Sequence, residues 1–424
     1  MSTEEIKNSW LSVLKPQPKL NLVEWAENNR VLSKEASSEP GTWKTSRVEV
    51  ARGVMLAVTD PRVHTITIMA CTQLLKTEFI NNVIGYFIDQ DPAPILVIQP
   101  NIRAVEGWSK GRLSPMLRDT PCLNGKVKEK ARNGNNTLLY KKFPGGHIVL
   151  TGAESPTGLA SWPIRIVLAD EIDKYPDSAG KEGDPVALGE ERAATFWNCL
   201  KVRTCSPTVK GKSRIEASYN NSDQRRFYVP CPHCGEHQIL TWENVKWVKD
   251  KNTGEHKADT ALYHCNSCGA GWNDVERYKA IAKGTWRQTA KFYCCNEEQE
   301  PIKWNDKGFS LCRKCGKQSK FSGHAGFHVN KIASPWTTLE EVVNKWLNSK
   351  GDIQKIKTFI NTQLAEVWEE DIKAITVDES ALKKRSENYD NEAVSNDIII
   401  ITAGVDVQED RLEVQIIGWG LGEV

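Results

Sequence analysis

Two adjacent carboxylates, Asp170 and Glu171, follow directly on an apolar stretch that begins at Ile164. A continuous apolar run of this length is typical of a strand buried on both faces of a parallel sheet. Because an unpaired carboxylate is costly to bury, two of them at the end of such a strand indicate a ligand site. The first would suit a phosphate-bound Mg²⁺ and the second an attacking water, as in a Walker B motif. An ordinary strand followed by a solvated acidic turn fits this stretch equally well.

A second candidate lies at Lys76 and Thr77, between an apolar β-branched stretch (63–70) and a helical apolar stripe (79–88). Phosphates bind at such strand-to-helix junctions through free backbone N–H groups, the helix dipole and a lysine, and a threonine hydroxyl can bind Mg²⁺. The usual glycines of a phosphate-binding loop are absent, and Leu75 stands directly before Lys76. Since glycine lets the backbone approach phosphates closely, a plain turn with a surface lysine is the alternative.

Four cysteines form two Cys-x-x-Cys pairs, each followed by glycine: Cys231, Cys234, Cys265 and Cys268. In a reducing compartment, clustered cysteines favour metal binding over disulfides. Four thiolates at these spacings make a closed tetrahedral zinc site. The sequence therefore predicts a structural zinc ribbon.

A second group of cysteines follows: Cys294, Cys295, Cys312 and Cys315. One half of this group has the Cys-x-x-Cys spacing, whereas the other half is an adjacent pair with tighter geometry. His324 and His328 lie nearby in sequence as substitute ligands, so the sequence leaves a second zinc open. Neither cysteine group offers the open position and general base of a catalytic zinc, and both are interpreted as structural.

The candidate residues need a sheet to position them. Further strands are predicted at 94–100, 147–152 and 201–207. The alternation of strands and helices through 63–207 indicates an α/β fold with a mostly parallel sheet. Several strand ends would then bring polar groups to one carboxyl edge. A capping box at Thr338 predicts two later helices, split at Gly351.

The bulk composition limits the class of protein. A chain of 424 residues predicts two or three domains. A net charge of +2 does not by itself mark a nucleic-acid binder. The sequence lacks an apolar run long enough for a membrane span, and its first residues lack the basic and apolar regions of a secretory signal. We therefore expect a soluble, cytoplasmic protein without a membrane partner.

Several segments, spread in order along the whole chain, resemble one family. They are 35–43, 73–78, 155–159, 168–173, 182–185, 214–217 and, most specifically, 222–235. Together they resemble the ATPase part of the large terminase subunit of tailed phages, of the lambda gpA type. This resemblance implies a P-loop (RecA/ASCE-like) sheet with helices on both faces. It also implies an ATP-driven motor that packages viral DNA.

The resemblance implies ATP and Mg²⁺ as cofactors and gives each matching residue a role. Lys76 contacts the phosphates, and Thr77 and Asp170 hold Mg²⁺. Glu171 polarises the attacking water. Lys76, Asp170 and Glu171 are thus the implied catalytic residues, and zinc is the additional metal predicted from the cysteines.

Four more residues are implied to contact the nucleotide. Gln73 and Glu78 flank the phosphate-binding lysine. Thr204 and Ser206 fall in the strand-end motif that couples hydrolysis to DNA movement in this family. The departure from the family is Leu75, where members usually carry glycine.

The implied partners are double-stranded DNA, the small terminase subunit, and the portal of the procapsid in the host-cell cytoplasm. Motors of this kind work as homo-oligomeric rings, in which an arginine of the same or a neighbouring subunit completes the site. Arg103, Arg192 and Arg203 are the candidates for this arginine.

The predicted domain organisation has five parts. They are a P-loop ATPase core with its N-terminal segment (1–225), a zinc-ribbon region (226–330), a helical lid (331–370), a linker (371–396) and the first two strands of an RNase H-like nuclease (397–424). The resemblance implies that Asp406 matches the first metal-binding carboxylate of that nuclease. Without the resemblance, an ordinary aspartate in a hairpin turn is the preferred interpretation. Two-metal cleavage needs several carboxylates from different strands. Because the sequence stops at Val424 after two strands, we expect DNA cutting only in the full-length protein.

Three hypotheses follow. The first is an ATPase that translocates duplex DNA into a procapsid. The second is a zinc-ribbon module for DNA binding or assembly on a degenerate, inactive P-loop scaffold, which the absent glycines motivate. The third and weakest is a helicase-type ATPase, for which no helicase motifs follow residue 207.

Overall fold

The computed structural model describes residues 19–127, 136–369, 398–407 and 411–420. The chain divides into two compact units, Met1–Glu369 and Glu370–Val424. The predicted linker, 371–396, lies outside the described residues. No helix in the described ranges is both long and apolar enough to cross a bilayer.

Most of the described strands belong to the first unit. They are β1 (Val31–Leu32), β2 (Gly41–Thr42), β3 (Thr65–Ala70), β4 (Ile95–Gln99), β5 (Tyr140–Phe143), β6 (Gly146–Gly152), β7 (Ile166–Asp170), β8 (Leu200–Cys205), β9 (Arg225–Pro230), β10 (His237–Ile239), β11 (Val245–Lys249), β12 (His256–His264), β13 (Gly271–Trp272), β14 (Thr285–Arg287), β15 (Phe292–Cys294), β16 (Glu297–Gln299) and β17 (His324–Val329). The second unit contains β18 (Ile400–Val407) and β19 (Leu412–Trp419), which pair as an antiparallel hairpin.

Within the residues that the structure describes, the α-helices belong to the first unit. They are α1 (Leu22–Asn29), α2 (Val50–Val58), α3 (Lys76–Asp89), α4 (Ile102–Trp108), α5 (Ser114–Asp119), α6 (Pro156–Ala160), α7 (Pro185–Glu191), α8 (Arg214–Asn220), α9 (Asp274–Ile281), α10 (Leu339–Leu347) and α11 (Ile353–Phe359). Short π-helical turns follow α4 at Ser109–Leu113 and α11 at Ile360–Leu364.

The main sheet has the order β10-β9-β17-β3-β8-β7-β4-β6-β5, and β14 also pairs with β9. The run from β9 through β17, β3, β8, β7 and β4 to β6 is parallel, and antiparallel strands flank it. The prediction of an α/β fold with a mostly parallel sheet is confirmed. Strand β8 lies between β3, which leads to Lys76, and β7, which ends at Asp170.

Helices cover both faces of this sheet, as expected. Alternate residues of β4 face opposite sides: Ile95 and Val97 join one apolar cluster with α2 and α3, and Leu96 and Ile98 join another with α7 and α8. Both sets are buried because a central parallel strand has no solvent-facing side. This two-sided burial fixes the strand ends, and hence the site, on a rigid base.

The predicted boundaries of the zinc-ribbon region, 226–330, differ from the structure. Strands β9, β14 and β17 from this range belong to the main sheet, and β17 pairs in parallel with β3 along its whole length. Its residues Ala325, Phe327 and Val329 are buried. The cysteine pattern dominates the sequence here, but this apolar alternation is what inserts β17 into the sheet. The two cysteine groups are therefore insertions between strands.

The two helices expected after Thr338 are present as α10 and α11. Thr338 and Glu341 form the capping box at the start of α10. Gly351, between the helices, has a φ of +83°, a conformation that glycine adopts without steric cost. The helices thus begin and end where local side-chain chemistry places them.

Candidate functional site

The predicted site residues converge at the carboxyl edge of the parallel strands. Lys76 is the first residue of α3, and Asp170 is the last residue of β7. Thr204 lies near the end of β8, and Ser206 follows that strand directly. Because β8 separates the strands that lead to Lys76 and Asp170, its polar end can contact both residues.

Lys76 is held by two oxygen atoms. Its Nζ lies 3.1 Å from Glu171 Oε1 and donates to Ser206 Oγ at 2.9 Å. The hydroxyl of Ser206 in turn donates to the carbonyl oxygen of Ala70 at 2.8 Å. The lysine side chain is only 7% exposed. The alternative of an ordinary turn with a surface lysine is therefore wrong: the ammonium is buried beside the acidic pair.

Asp170 is a buried carboxylate with two neutral donors. The Thr204 hydroxyl donates to Oδ1, and Gln99 Nε2 donates to Oδ2 at 3.0 Å. Burial raises the pKa of Asp170, the adjacent charge of Glu171 raises it further, and the two hydrogen bonds only partly oppose this. A cation beside Asp170 would offset the cost of keeping it ionised. The alternative of a solvated acidic turn is wrong for this residue.

Glu171 differs from its neighbour because it has two cationic partners. Its burial favours the neutral form, but the charges of Lys76 and Lys174 outweigh burial and lower its pKa. Lys174 Nζ lies 3.0 Å from Glu171 Oε2. The backbone of Glu171 is left-handed, with φ 58° and ψ 45°. Such strain in a non-glycine residue is common at functional sites, and here it turns the carboxylate toward Lys76.

The loop before α3 keeps a left-handed residue without using glycine there. Gln73 has a φ of 51°, and Leu75 is buried in the apolar cluster that contains α3. The loop is tied to the helical segment 331–369 at Thr72. The Thr72 carbonyl accepts from Lys331 Nζ at 3.0 Å, and the Thr72 amide donates to the Thr362 carbonyl at 3.0 Å. These two hydrogen bonds at Thr72 stabilise the loop conformation, although the loop lacks the usual glycines.

Thr77 and Glu78, the next residues of α3, both line the cleft described below. Glu78 also pairs with the buried Arg30, whose terminal nitrogen lies 2.8 Å from its carboxylate. Burial lowers the pKa of Arg30, against the opposing charge of Glu78. The ion pair with Glu78 therefore also connects the segment that contains Arg30 to α3, the helix that carries Lys76.

A cleft of about 1420 Å³ opens beside the loop that precedes α3. Its walls come from the segment 32–48, the loop and first turn of α3 (72–78), and the segment 331–345, together with Arg112 and Glu171. A volume of this order suits a ligand larger than a phosphate ion. Lys331 and Lys345 line the cleft and add positive charge to it.

The structure places the three predicted arginines away from this cleft. Arg203 is held by Glu190 through two hydrogen bonds of 2.7 and 2.8 Å, Arg192 donates to the Ala160 carbonyl, and Arg103 is exposed on α4. Arg112, in the π-helical turn that follows α4, does line the cleft. It donates a hydrogen bond to the Ala36 carbonyl. Sequence reasoning missed Arg112 because no spacing links it to Lys76.

The first cysteine group closes into one cluster. Its Sγ atoms are 3.8 Å apart in the pairs Cys231–Cys268 and Cys234–Cys265, and all four lie within 4.8 Å of one another. Four sulfurs at Zn–S distances of about 2.3 Å in a tetrahedron are about 3.8 Å apart. The thiols are free rather than disulfide-bonded. The chemistry and spacing of these donors fit zinc.

The second cysteine group also closes into a cluster of four thiols. The two histidines offered as substitutes belong elsewhere: His324 contacts the Thr67 hydroxyl, and His328 contacts the Ala365 carbonyl. That suggestion is wrong because both histidines lie on β17 inside the main sheet.

Asp406 lies in the second unit, opposite Glu413 in the β18–β19 hairpin.

Comparison with known proteins gives the family. Residues 37–286 match the family described as phage terminase large subunit gpA, ATPase domain, and residues 324–424 match terminase large subunit gpA, endonuclease domain. The first match alone covers more than half of the chain. The chain belongs to the gpA family of phage terminase large subunits. The second match begins at β17, which is a strand of the ATPase sheet in this gpA-family chain.

Two curated relatives carry the name "Terminase, large subunit". The one from Enterobacteria phage P21 is 30% identical over 428 residues, covering 99% of this chain and 63% of the relative. The one from Escherichia phage lambda is 28% identical over 424 residues, covering 97% and 62%. The chain thus spans less than two thirds of the length of these relatives. The solved ATPase domain of the Thermus phage P74-26 large terminase aligns with 73% of this chain and 91% of that domain, with 11% identity and a TM-score of 0.39.

Proposed function

We propose that this gpA-family chain hydrolyses ATP to drive double-stranded DNA into a procapsid. The observation that carries the proposal is a set of contacts at one edge of the sheet: Lys76 contacts Glu171 and Ser206, and Thr204 contacts the neighbouring Asp170. It joins a buried cation at a helix N-terminus, an ionised carboxylate and a buried carboxylate with a raised pKa. Phosphoryl transfer to water uses a lysine on the phosphates, a carboxylate that holds Mg²⁺ and a residue that positions the water.

The chain's own residues would divide the work as follows. Lys76 and the N-terminus of α3 bind the phosphates, because the free amides, the helix dipole and the ammonium all favour negative charge. Thr77 and Asp170 would hold Mg²⁺, which neutralises charge on the transferred phosphoryl group. The buried Asp170, whose described donors are neutral, fits this assignment.

Glu171 would orient and deprotonate the attacking water. In this structure its carboxylate pairs with Lys76. A phosphate bound to Lys76 competes for the same ammonium, so nucleotide binding would release Glu171 toward the water. Lys174, on the solvent side, would keep the pKa of Glu171 low after that release.

Ser206 and Thr204 would transmit the change along β8. Ser206 contacts Lys76, and Thr204 contacts Asp170. Since β8 lies between β3 and β7, movement at either contact acts on one strand. We propose that this strand links hydrolysis to DNA movement, and that Gln73 and Glu78 complete the nucleotide cleft.

The first cysteine cluster would hold a structural zinc at Cys231, Cys234, Cys265 and Cys268.

The proposed partners are the small terminase subunit and the portal of the procapsid, with the chain acting in a ring in the host-cell cytoplasm. Arg112, which lines the cleft together with Arg47, replaces the three arginines named above as the arginine to test. Asp406 is proposed as a metal-binding carboxylate of the nuclease, and an Asp406→Asn substitution in the full-length protein would test it by Mg²⁺-dependent DNA cleavage.

The deciding experiment replaces Glu171 by Gln. We expect ATP turnover to be abolished while Mg²⁺-ATP still binds, because the amide keeps the shape of the side chain but cannot accept the proton. An exposed glutamate of α7 provides the matched control, Glu191→Gln, which should turn over ATP normally. Unchanged turnover in Glu171→Gln would remove its assigned role.

The second candidate function is a DNA-binding or assembly module on an inactive scaffold. The observation that favours it is Leu75 at the position where a glycine would widen the loop, together with the ion pair that occupies Lys76. A titration of the wild-type protein with labelled ATP and Mg²⁺ separates the two functions. Saturable binding supports the motor, whereas no binding at millimolar ATP supports the scaffold.

A further inference from the structure

We infer that Cys294, Cys295, Cys312 and Cys315 form a second structural zinc site, whose bound thiolate is held by the side chain of Gln299. The inference is independent of the proposed ATPase activity. Three observations carry it: the sulfur spacing, a hydrogen-bond pattern repeated from the first cysteine cluster, and the packing of the segment that this site closes.

The sulfur spacing matches a tetrahedral site. The Sγ atoms are 3.7 Å apart for Cys294 and Cys315, 3.8 Å for Cys295 and Cys312, and 4.0 Å for the adjacent Cys294 and Cys295. Sulfurs around zinc are about 3.8 Å apart, as in the first cluster, and a disulfide would need about 2.05 Å. The adjacent pair is therefore compatible with a single metal.

The backbone explains how an adjacent pair can serve. Cys295 and Asn296 have φ values of 52° and 60°, so they form the tight turn between β15 and β16. Two successive left-handed residues are the mark of a two-residue hairpin turn. The turn brings both sulfurs within reach of the Cys312–Cys315 pair. Gly316, with a φ of 69°, follows this pair as glycine follows both pairs of the first cluster.

A buried glutamine makes the same two contacts in each cluster. In the first, Gln238 Nε2 donates to Cys265 Sγ at 3.2 Å, and Gln238 Oε1 accepts from the amide of Asn266 at 2.9 Å. In the second, Gln299 Nε2 donates to Cys312 Sγ at 3.1 Å, and Gln299 Oε1 accepts from the amide of Arg313 at 3.0 Å.

This repeat points to a ligand, because a metal-bound thiolate needs donors around it. Gln299 is only 1% exposed, and its Nε2 also donates to the carbonyl of the cluster residue Cys294 at 3.3 Å and to the Glu297 carboxylate at 3.4 Å. Burying a polar side chain without such a role would be costly. The second cluster thus has the same glutamine contacts as the first, although the spacing of its cysteines in the sequence differs.

The site closes a segment that covers the edge of the main sheet. Between the two halves of the cluster, Phe309 is buried under the guanidinium groups of Arg62 and Arg225, at 4.7 and 5.2 Å from its ring centre. Trp304 Nε1 donates to the carbonyl of Gln288, one residue past β14, at 2.7 Å. The zinc would hold this cover in place by joining its two ends. Tetrahedral thiolate sites take zinc or iron, and a closed structural role favours zinc.

Metal analysis of the purified chain tests the inference. We expect two zinc ions per chain by inductively coupled plasma mass spectrometry, and one in the double variant Cys312→Ser/Cys315→Ser. The matched control is Cys122→Ser/Cys199→Ser, which removes two thiols outside both clusters and should keep two zinc ions. One zinc per wild-type chain, iron in place of zinc, or a disulfide in this cluster found by peptide mass spectrometry would overturn the inference.

A milder variant keeps the test valid if the cysteine variant does not fold. Gln299→Leu retains all four thiols, and loss of an outer hydrogen bond typically weakens metal affinity about 10–100-fold. During a chelator titration, we expect one of its two zinc ions to be lost at a correspondingly lower chelator concentration. The equivalent Gln238→Leu should weaken the other ion. Two wild-type-like zinc ions in Gln299→Leu would refute the role of Gln299.

Discussion

Replacing Lys76 by Met tests the ion pair at the centre of the candidate site. Glu171 has two lysine partners at nearly equal distances, Lys76 at 3.1 Å and Lys174 at 3.0 Å. They differ in burial: Lys76 is 7% exposed, and Lys174 is 64% exposed. Distance alone predicts equal effects for the two substitutions, whereas burial predicts that only the first matters.

The magnitudes follow from this difference. Removing one partner of a buried pair costs about 3–5 kcal/mol, and Glu171 keeps some solvent contact, so we expect about 2–3 kcal/mol for Lys76→Met. For Lys174→Met we expect about 0–1 kcal/mol. In the double variant Lys76→Met/Glu171→Gln, the stranded charge is gone, and a coupling of about 1–3 kcal/mol should appear.

Urea unfolding at neutral pH measures these free energies in the wild type, Lys76→Met, Lys174→Met, Glu171→Gln and the double variant. The folded-state pKa of Glu171 is lowered, so its stabilisation is present at neutral pH and is lost as pH falls through that pKa. In Lys76→Met this loss should begin at higher pH. The ATPase rate of Lys76→Met should also fall about 10²–10³-fold, as when an electrostatic donor is removed. Equal stability losses for Lys76→Met and Lys174→Met, or a coupling near zero, would refute the reasoning.

Three further predictions concern other contacts. Thr204→Val removes a donor to Asp170; we expect the Mg²⁺ concentration for half-maximal ATPase to rise about 10-fold or more, and an unchanged value would contradict the Mg²⁺ role. Arg277→Met removes a fully buried guanidinium that donates to the Ser334 and Thr337 carbonyls beside the cleft. The free energy of unfolding should fall by about 4 kcal/mol or more. The control Lys279→Met, at an exposed position of the same helix, should change it little. Burial, and then Arg203, lower the pKa of His324 to about 4. The unfolded chain then binds the extra proton between about pH 6.5 and 4, so stability should fall with pH in that window and fall less in His324→Gln, as thermal melts would record.

The main elements of the site were predictable because their signals are local. The apolar run before Asp170 predicted β7, and the junction before Lys76 predicted the start of α3. The first cysteine group was predictable from spacing alone, since a knuckle is built from a few consecutive residues. The capping box at Thr338 marked α10 for the same reason.

The remainder could not be predicted because it depends on which strands become neighbours. The predicted zinc-ribbon region, 226–330, includes the residues of β17. That strand instead pairs with β3 and places His324 and His328 in the main sheet, away from the cysteine clusters. Arg112 and Lys331 reach the cleft from segments far from Lys76 in sequence. No periodicity records such long-range contacts.

The sequence by itself determined the residue types at the site, their place at strand and helix ends, and the family. The tertiary structure alone decided how they act on one another. It interposed β8 so that Ser206 meets Lys76 and Thr204 meets Asp170. It also joined an adjacent cysteine pair to a distant one. The physical reason is that side-chain type and hydrophobic periodicity depend on neighbouring residues in the sequence. Burial, the charge of contacting residues and strand order are decided only when the sheet forms.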